Sequence, residues 1–317
     1  MTYAVVFPGQ GSQSIGMLME LAEVHAQIKE TFQEASDALG YDLWQLVQKG
    51  PEEELNKTHI TQPAMLAGGV AVWRVWQSQQ NAQPVAMAGH SLGEYSALVA
   101  AGSLSLSDAV TVVADRGRFM QEAVPVGEGA MAAILGLDDD KVGEICAEAA
   151  KSVTGEVVTA VNYNSPGQVV IAGNTAAVNR AVDLAREAGA KRALPLPVSV
   201  PSHCSLMMPA AERLAEHLAG VAIQSPLIPV FNNVDVQAES SADAIRDALK
   251  RQLFSPVRWV DTVQAFAAQG IQQVVECGPG KVLAGLNKRI NREMTGLTTS
   301  DLAGLDKTVQ AVGEGKQ

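Results

Sequence analysis

Gly89-His90-Ser91-Leu92-Gly93 sets a hydroxyl between two glycines at the spacing G-x-S-x-G. In that pattern the serine sits on a strained strand-to-helix turn. Glycines two before and two after it remove the Cβ atoms that would clash there. The hydroxyl is then exposed, and the next backbone N–H, that of Leu92, faces the same spot. The following helix N-terminus adds partial positive charge where an oxyanion would form. The pattern alone is common by chance, so its context decides. Val85 to Ala88 reads as a short apolar strand before it, and Glu94 to Ala101 as a helix after it. The bland alternative is a small residue that closes a tight turn.

A serine nucleophile needs a base. The chain has five histidines: His25, His59, His90, His203 and His217. His25 and His217 lie in polar or mixed helical segments, and His59 in a capping stretch before Pro63. His90 adjoins Ser91, and neighbours along a turn usually point apart. His203 stands in the Pro-bounded loop Val200-Pro201-Ser202-His203-Cys204, where one domain is expected to return to the other. Clefts form at such junctions. Elimination selects His203 as the base, against the plainer reading of a loop histidine bonded to backbone. No triad acid stands out. Asp115 lies between the two residues, but beside Arg116 on a helix an ion pair is the simpler expectation. A carbonyl or side-chain amide can orient an imidazole instead.

Two further segments bear on chemistry. Arg116-Gly117-Arg118 lies on a mainly apolar helix. It is either a solvated basic pair or a guanidinium clamp on a substrate carboxylate. Pro8-Gly9-Gln10-Gly11-Ser12-Gln13 follows the first strand and can expose backbone N–H groups to an oxyanion or phosphate. Ser14 stands where a dinucleotide fingerprint needs its third glycine, and no Lys-Ser or Lys-Thr completes a P-loop.

The elements that must position these residues follow from length and pattern. At 317 residues the chain holds one large domain or two fused ones. With 47% hydrophobic and 18% charged residues it is not a disordered chain. Aromatics at 4% make stacking on single-stranded nucleic acid a poor fit. The net charge of −11 repels phosphate backbones, so nucleic acid is excluded as a partner. Three scattered cysteines give neither a disulfide framework nor a metal site and suit a reducing compartment. No signal peptide opens the chain, and no apolar run reaches the roughly 20 residues of a membrane helix, so a soluble cytoplasmic protein is expected.

Strand, tight turn and helix alternate through residues 1–125, which predicts an α/β core with a mainly parallel sheet. Helices are expected over 15–39, 41–48 and 61–79, with Ser107 or Asp108 capping the one that carries Arg116. Residues 126–198 read β-α-β-β-α-β, the ferredoxin-like unit, inserted in the core. Residues 199–295 return to the core with helices near 206–218, 242–253, 259–268 and 281–290, and strands near 228–231 and 271–276. Periodicity fades from about 293, so the tail 296–317 is expected to be weakly ordered.

Six segments in register closely resemble one family, the malonyl-CoA:acyl carrier protein transacylases of bacterial type II fatty acid synthesis. They are Phe7 to Gln13, Gly89 to Tyr95, Arg116 to Gln121, Asn162 to Gln168, Val200 to His203 and Glu276 to Gly280. They span residue 3 to about 290, and the match looks closest to the free-standing bacterial enzyme. Cys277 departs mildly from the family, which often has another small residue there.

The resemblance implies an α/β-hydrolase-like core with the ferredoxin-like insert. It implies Ser91 as nucleophile, His203 as general base and acid, and Gln252 as the residue whose main-chain carbonyl orients that histidine. Arg116 would pair with the malonate carboxylate, and the N–H groups of Gln10 and Leu92 would form the oxyanion hole. Met120, Asn162 and Val200 match positions around the acyl pocket. The implied reaction is ping-pong malonyl transfer from malonyl-CoA to the phosphopantetheine thiol of acyl carrier protein. It needs no metal or bound cofactor, and a monomer is expected. The rival readings are a serine esterase or thioesterase, and a non-catalytic scaffold that binds carrier protein.

Overall fold

The computed structural model describes residues 2–79, 82–198 and 200–313. Nine strands are formed among them, in chain order β1 (Tyr3–Phe7), β2 (Ala86–Gly89), β3 (Gly129–Leu135), β4 (Val158–Ser165), β5 (Gln168–Asn174), β6 (Arg192–Pro195), β7 (Val230–Phe231), β8 (Gln273–Glu276) and β9 (Thr295–Thr298). Five make a parallel sheet in the order β7-β2-β1-β8-β9. Every residue of β1 and β2 is buried, which is why both read as unbroken short apolar runs and not as alternating ones.

The register sets the site. Phe7 pairs with Gly89, so the loop after β1 and the turn after β2 leave the sheet side by side at its carboxyl edge. That edge is where open α/β sheets hold their ligands. The close approach demands glycine: a Cβ on Gly9 would lie 2.5 Å from the His90 carbonyl oxygen.

The other four strands form an antiparallel sheet in the order β4-β5-β3-β6. Helices Asp139–Lys151 and Thr175–Glu187 cross between its strands, and their buried faces supply a second core around Val142, Ile145, Val178 and Val182. Order and direction are those of the ferredoxin-like unit. Pro195 ends β6, at the sheet edge, and Pro197 follows the strand. The opposite edge is closed by the larger body: Tyr163 N–H donates to the Val257 carbonyl at 3.1 Å, and Val257 N–H to that of Val161 at 2.8 Å. The fold is therefore α/β, with a parallel core sheet and a separate ferredoxin-like sheet.

Several expectations need correction. The helix expected over 15–39 is two, Met19–Val24 and Ala26–Leu39, because His25 takes an extended conformation. The long buried helix begins at Thr58, not Thr61, with Pro63 inside it. The helix bearing Arg116 is capped by Ser105, whose Oγ accepts from Asp108 N–H at 3.0 Å and donates to the Asp108 carboxylate. The tail expected to be weakly ordered supplies β9 and the helix Leu302–Gly313. That helix buries Leu305, Thr308 and Val312, a helical stripe whose central threonine hides it from an apolar count. Residue 199, where the core was expected to resume, and residues 314–317 lie outside the described residues.

Candidate active site

Ser91 has φ 51°, a left-handed conformation that a serine adopts only under constraint. The flanking glycines show why the turn can be so tight. A Cβ on Gly89 would lie 1.8 Å from the Gly93 carbonyl carbon, and one on Gly93 would lie 2.1 Å from the Phe7 carbonyl oxygen. The helix Gly93–Ala100 starts immediately after. Gln10, on the β1 loop, and Leu92, on the turn, were the expected oxyanion donors. Among the described residues neither backbone N–H has a protein acceptor.

His203 arrives from the other side, buried and also at positive φ (67°). Its Nε2 is 2.8 Å from Ser91 Oγ. Its Nδ1 is 2.7 Å from the main-chain carbonyl of Gln252, so Nδ1 carries the proton and Nε2 is the free base. Burial, then the Arg116 charge, pushes the imidazole pKa down to about 3, so it is neutral at neutral pH. The third partner is a carbonyl, which is why no acid could be picked from the sequence.

Arg116 is 2% exposed, while Arg118, two residues on, points outward. That excludes the solvated basic pair. Arg116 Nη1 donates to Gln62 Oε1 at 2.7 Å. Its Nη2 donates to Gln252 Oε1 at 3.0 Å and reaches Ser91 Oγ at 3.3 Å. The guanidinium carbon sits 5.6 Å from the centre of the Tyr95 ring. Its Nε–H has no acceptor, and among the described residues no carboxylate lies within ion-pair distance of it. The pair expected between Asp115 and Arg116 does not form. Asp115 pairs with Arg118 at 2.7 Å.

Of the expected pocket residues, Met120 is buried and joins through Gln62, whose Nε2 lies 3.8 Å from the Met120 sulfur. Asn162 lies on β4 with its side-chain oxygen buried and without a partner among the described residues. Val200 is buried in the loop before His203. Neither is hydrogen-bonded to Ser91, His203 or Arg116.

Four contributors escaped the sequence reading. Gln62 holds Arg116 from the long buried helix. Asn233 accepts from Ser91 N–H at 2.7 Å and donates to the Gly89 carbonyl at 2.7 Å. Glu94, 2% exposed, accepts from Gln252 Nε2 at 2.8 Å and from Asn233 N–H at 2.9 Å. His90 turns away from Ser91 to Asn164 on β4, at 2.7 Å, and packs on Trp259. The signal for Gln62 was a polar residue in a helix otherwise rich in Ala, Val and Trp, and for Glu94 its place in the segment Gly89 to Tyr95 that carries the resemblance. Among the described residues no group of three or more His, Cys, Asp or Glu side chains could hold a metal ion.

A half-buried serine hydroxyl on a buried imidazole–carbonyl pair, two N–H groups without a protein acceptor among the described residues, and a buried cation at the nucleophile suit acyl transfer from a substrate with a negative end. The acyl transferase domain family matches residues 4–313. The chain belongs to that family. Its relatives include the malonyl CoA-acyl carrier protein transacylase of Escherichia coli K12, 60% identical over 293 residues, 92% of this chain and 94% of the relative. The transacylase of Bacillus subtilis is 46% identical over 317 residues, 98% and 97% of the two chains. A solved malonyl-transacylase in complex with a type II polyketide synthase acyl-carrier protein superposes with a TM-score of 0.96 at 56% identity, covering 98% of this chain and all of that one. The match of this acyl transferase chain to its relatives spans core and insert together.

Proposed function

We propose that this chain moves a malonyl group from malonyl-CoA to the phosphopantetheine thiol of an acyl carrier protein, with Ser91 carrying the group as an ester between the two halves. The observation that carries the site assignment is Arg116: a buried guanidinium 3.3 Å from Ser91 Oγ, with no carboxylate of the described residues in ion-pair contact. A buried cation without its counter-ion is costly, and an incoming carboxylate relieves that cost. The malonyl carboxylate is two bonds from the carbonyl that Ser91 attacks, so one substrate spans both groups.

In the first half-reaction His203 Nε2 takes the Ser91 proton as Oγ attacks the thioester carbonyl. The Gln10 and Leu92 N–H groups receive the oxyanion, and the helix Gly93–Ala100 adds its N-terminal dipole. The intermediate collapses, the C–S bond breaks, and His203 returns the proton to the CoA sulfur. In the second half the carrier thiol gives its proton to His203 and attacks the malonyl ester, and Ser91 leaves with that proton. Side chains and backbone N–H groups carry every step, so the cycle calls for no cofactor. Met120, Asn162 and Val200 are assigned to the acyl pocket.

Hydrolysis as an esterase uses the same parts with water as acceptor, but gives Arg116 no role. Three buried free cysteines fit a reducing cytoplasm, and no helix among the described residues is long and apolar enough to cross a membrane. A monomer is the proposed working form, since one chain supplies all the groups named.

The test is intact-protein mass spectrometry after brief exposure to malonyl-CoA. Wild type should gain a malonyl mass that acyl carrier protein discharges, and Ser91→Ala should gain none. No adduct on either protein, or discharge to water faster than to the carrier, overturns the proposal.

A further inference from the structure

Glu94 stands in the first turn of the helix Gly93–Ala100, three residues past the nucleophile, and among the described residues its carboxylate accepts from Gln252 and Asn233, not from Ser91. One of its oxygens, Oε2, accepts two hydrogen bonds, from Gln252 Nε2 at 2.8 Å and from Asn233 N–H at 2.9 Å. Each donor belongs to a residue whose side chain goes on to Ser91. Gln252 Nε2 also donates to the Ser91 carbonyl at 3.0 Å, and Asn233 Oδ1 accepts from the Ser91 N–H at 2.7 Å. Both peptide groups of the strained residue are therefore held by amide side chains.

The same network fixes which way the Gln252 amide faces. Its nitrogen meets two acceptors, Glu94 Oε2 and the Ser91 carbonyl, while its oxygen meets one donor, Arg116 Nη2. Turning the amide over would set oxygen against oxygen and nitrogen against guanidinium. The Glu94 oxygen and the Ser91 carbonyl together thus turn the amide oxygen toward Arg116, which finds it at 3.0 Å.

We propose that Glu94 is a positioning residue for this reaction: one buried oxygen organises Gln252 and Asn233, which hold the Ser91 backbone in its strained turn and seat Arg116 beside it. The inference rests on Ser91 as nucleophile and Arg116 as carboxylate partner. Glu94 reaches no reacting atom and transfers no proton. Burial pushes its pKa up to about 7 against the pull of Gln252, Asn233 and the Arg116 charge, with Asp235 adding to the rise. An acceptor oxygen is present in either protonation state.

The requirement is therefore an oxygen at this place, and two conservative variants separate that from charge. Glu94→Gln keeps the chain length and an acceptor oxygen. Glu94→Asp keeps the carboxylate but withdraws it by one methylene. Transfer to acyl carrier protein is measured with malonyl-CoA and acetyl-CoA, with kcat normalised to the fraction of each protein that mass spectrometry finds acylable. Glu94→Gln should stay within about 3-fold of wild type. Glu94→Asp should lose roughly 10-fold or more in normalised kcat, and its malonyl-over-acetyl preference should fall roughly 5-fold, because Ser91 and Arg116 are both released. Asn233→Ala cuts the arm that holds the Ser91 and Gly89 backbone and does not reach Arg116, so it should lower normalised kcat roughly 10-fold and leave the preference unchanged.

Glu94→Asp above Glu94→Gln would make charge the requirement and overturn the proposal. So would wild-type values in Glu94→Asp, a loss confined to the acylable fraction, or an unaffected kcat in Asn233→Ala should Glu94→Asp not fold. Failure of wild type itself to acylate at Ser91 would instead overturn the reading on which the inference rests.

Discussion

His203 takes its orientation from a main-chain atom, the Gln252 carbonyl oxygen, 2.7 Å from Nδ1. The side chain of the same residue does different work, bonding Glu94, the Ser91 carbonyl and Arg116. Truncation separates the two. In Gln252→Ala the carbonyl remains and His203 keeps its tautomer, while Arg116 loses one buried acceptor. Losing such a partner costs about 1–3 kcal/mol, so malonyl transfer should fall roughly 5- to 150-fold and malonyl-over-acetyl preference should fall with it. His203→Ala should cost more, roughly 10⁴-fold, with no change in preference. Steady-state kinetics with both thioesters checks the pair, and an unchanged preference in Gln252→Ala counts against the assignment.

Arg116 should act as a selector. Its guanidinium is fixed at two nitrogens by Gln62 and Gln252, so the cation cannot leave its place when an uncharged acyl chain arrives. Arg116→Ala should lose malonyl loading by about 2–5 kcal/mol and gain relative activity on acetyl-CoA. Arg116→Lys should not restore the wild-type ratio, because a point charge cannot serve Gln62, Gln252 and a carboxylate in one plane. Loading rates on the two thioesters provide the measurement. An Arg116→Ala protein that still prefers malonyl-CoA would remove Arg116 from the substrate's path.

The sequence carried some of these relationships and not others, for physical reasons. The turn at Ser91 was legible because its geometry leaves no room for side chains at 89 and 93, and only glycine satisfies that. The ferredoxin-like unit was legible because β3 to β6 and their helices are local pairings with clean periodicity. Asn233 was not, because its bond to Ser91 joins residues 142 apart in the chain, and an asparagine after a short strand looks like a turn. His90 was discounted by adjacency, and it does point away from Ser91. What pattern could not supply was its contact with Asn164, which ties the turn to the smaller sheet. The tail was missed because β9 buries one residue of four and leans on β8 for its hydrogen bonds.

Two glycine-to-alanine changes should move stability in opposite directions. At Gly93 the new methyl would sit 2.1 Å from the Phe7 carbonyl oxygen and 3.0 Å from that of Pro8, main-chain atoms of the central strand and its loop. Neither can yield without moving the sheet, so Gly93→Ala should destabilise by about 2–4 kcal/mol and abolish acylation. Gly143 is helical, with no neighbour within 4 Å of its Cβ position. There alanine removes only backbone freedom, and Gly143→Ala should stabilise by about 0.5–1 kcal/mol with wild-type transfer. Urea denaturation read alongside acylation decides both. A tolerated Gly93→Ala would mean that the turn is softer than its contacts indicate.

Acid should spare the base and weaken the fold. The His203 pKa lies at about 3, first by burial and then by the Arg116 charge. The imidazole is therefore free to accept a proton throughout the range where an exposed histidine would be half charged. Loading measured as kcat/KM with malonyl-CoA reports the free enzyme, and it should show no fall with a midpoint near 6.5 between pH 7 and pH 5. Stability moves differently. Below 6.5 the unfolded chain binds a proton at residue 203 that the folded chain refuses until about 3, so the contribution of this histidine is complete above 6.5 and shrinks as pH falls. By pH 5 the loss should reach roughly 2 kcal/mol. Glu94 has the opposite sign. Its folded pKa of about 7 exceeds the unfolded 4.5, so its contribution is complete below 4.5 and is lost as pH rises through 7. Replacing the imidazole isolates its share: wild type should lose about 2 kcal/mol more than His203→Gln between pH 7 and pH 5 in urea titrations. Parallel losses in the two proteins, or a loading profile that bends near 6.5, would mean that His203 is solvated far more than its burial allows.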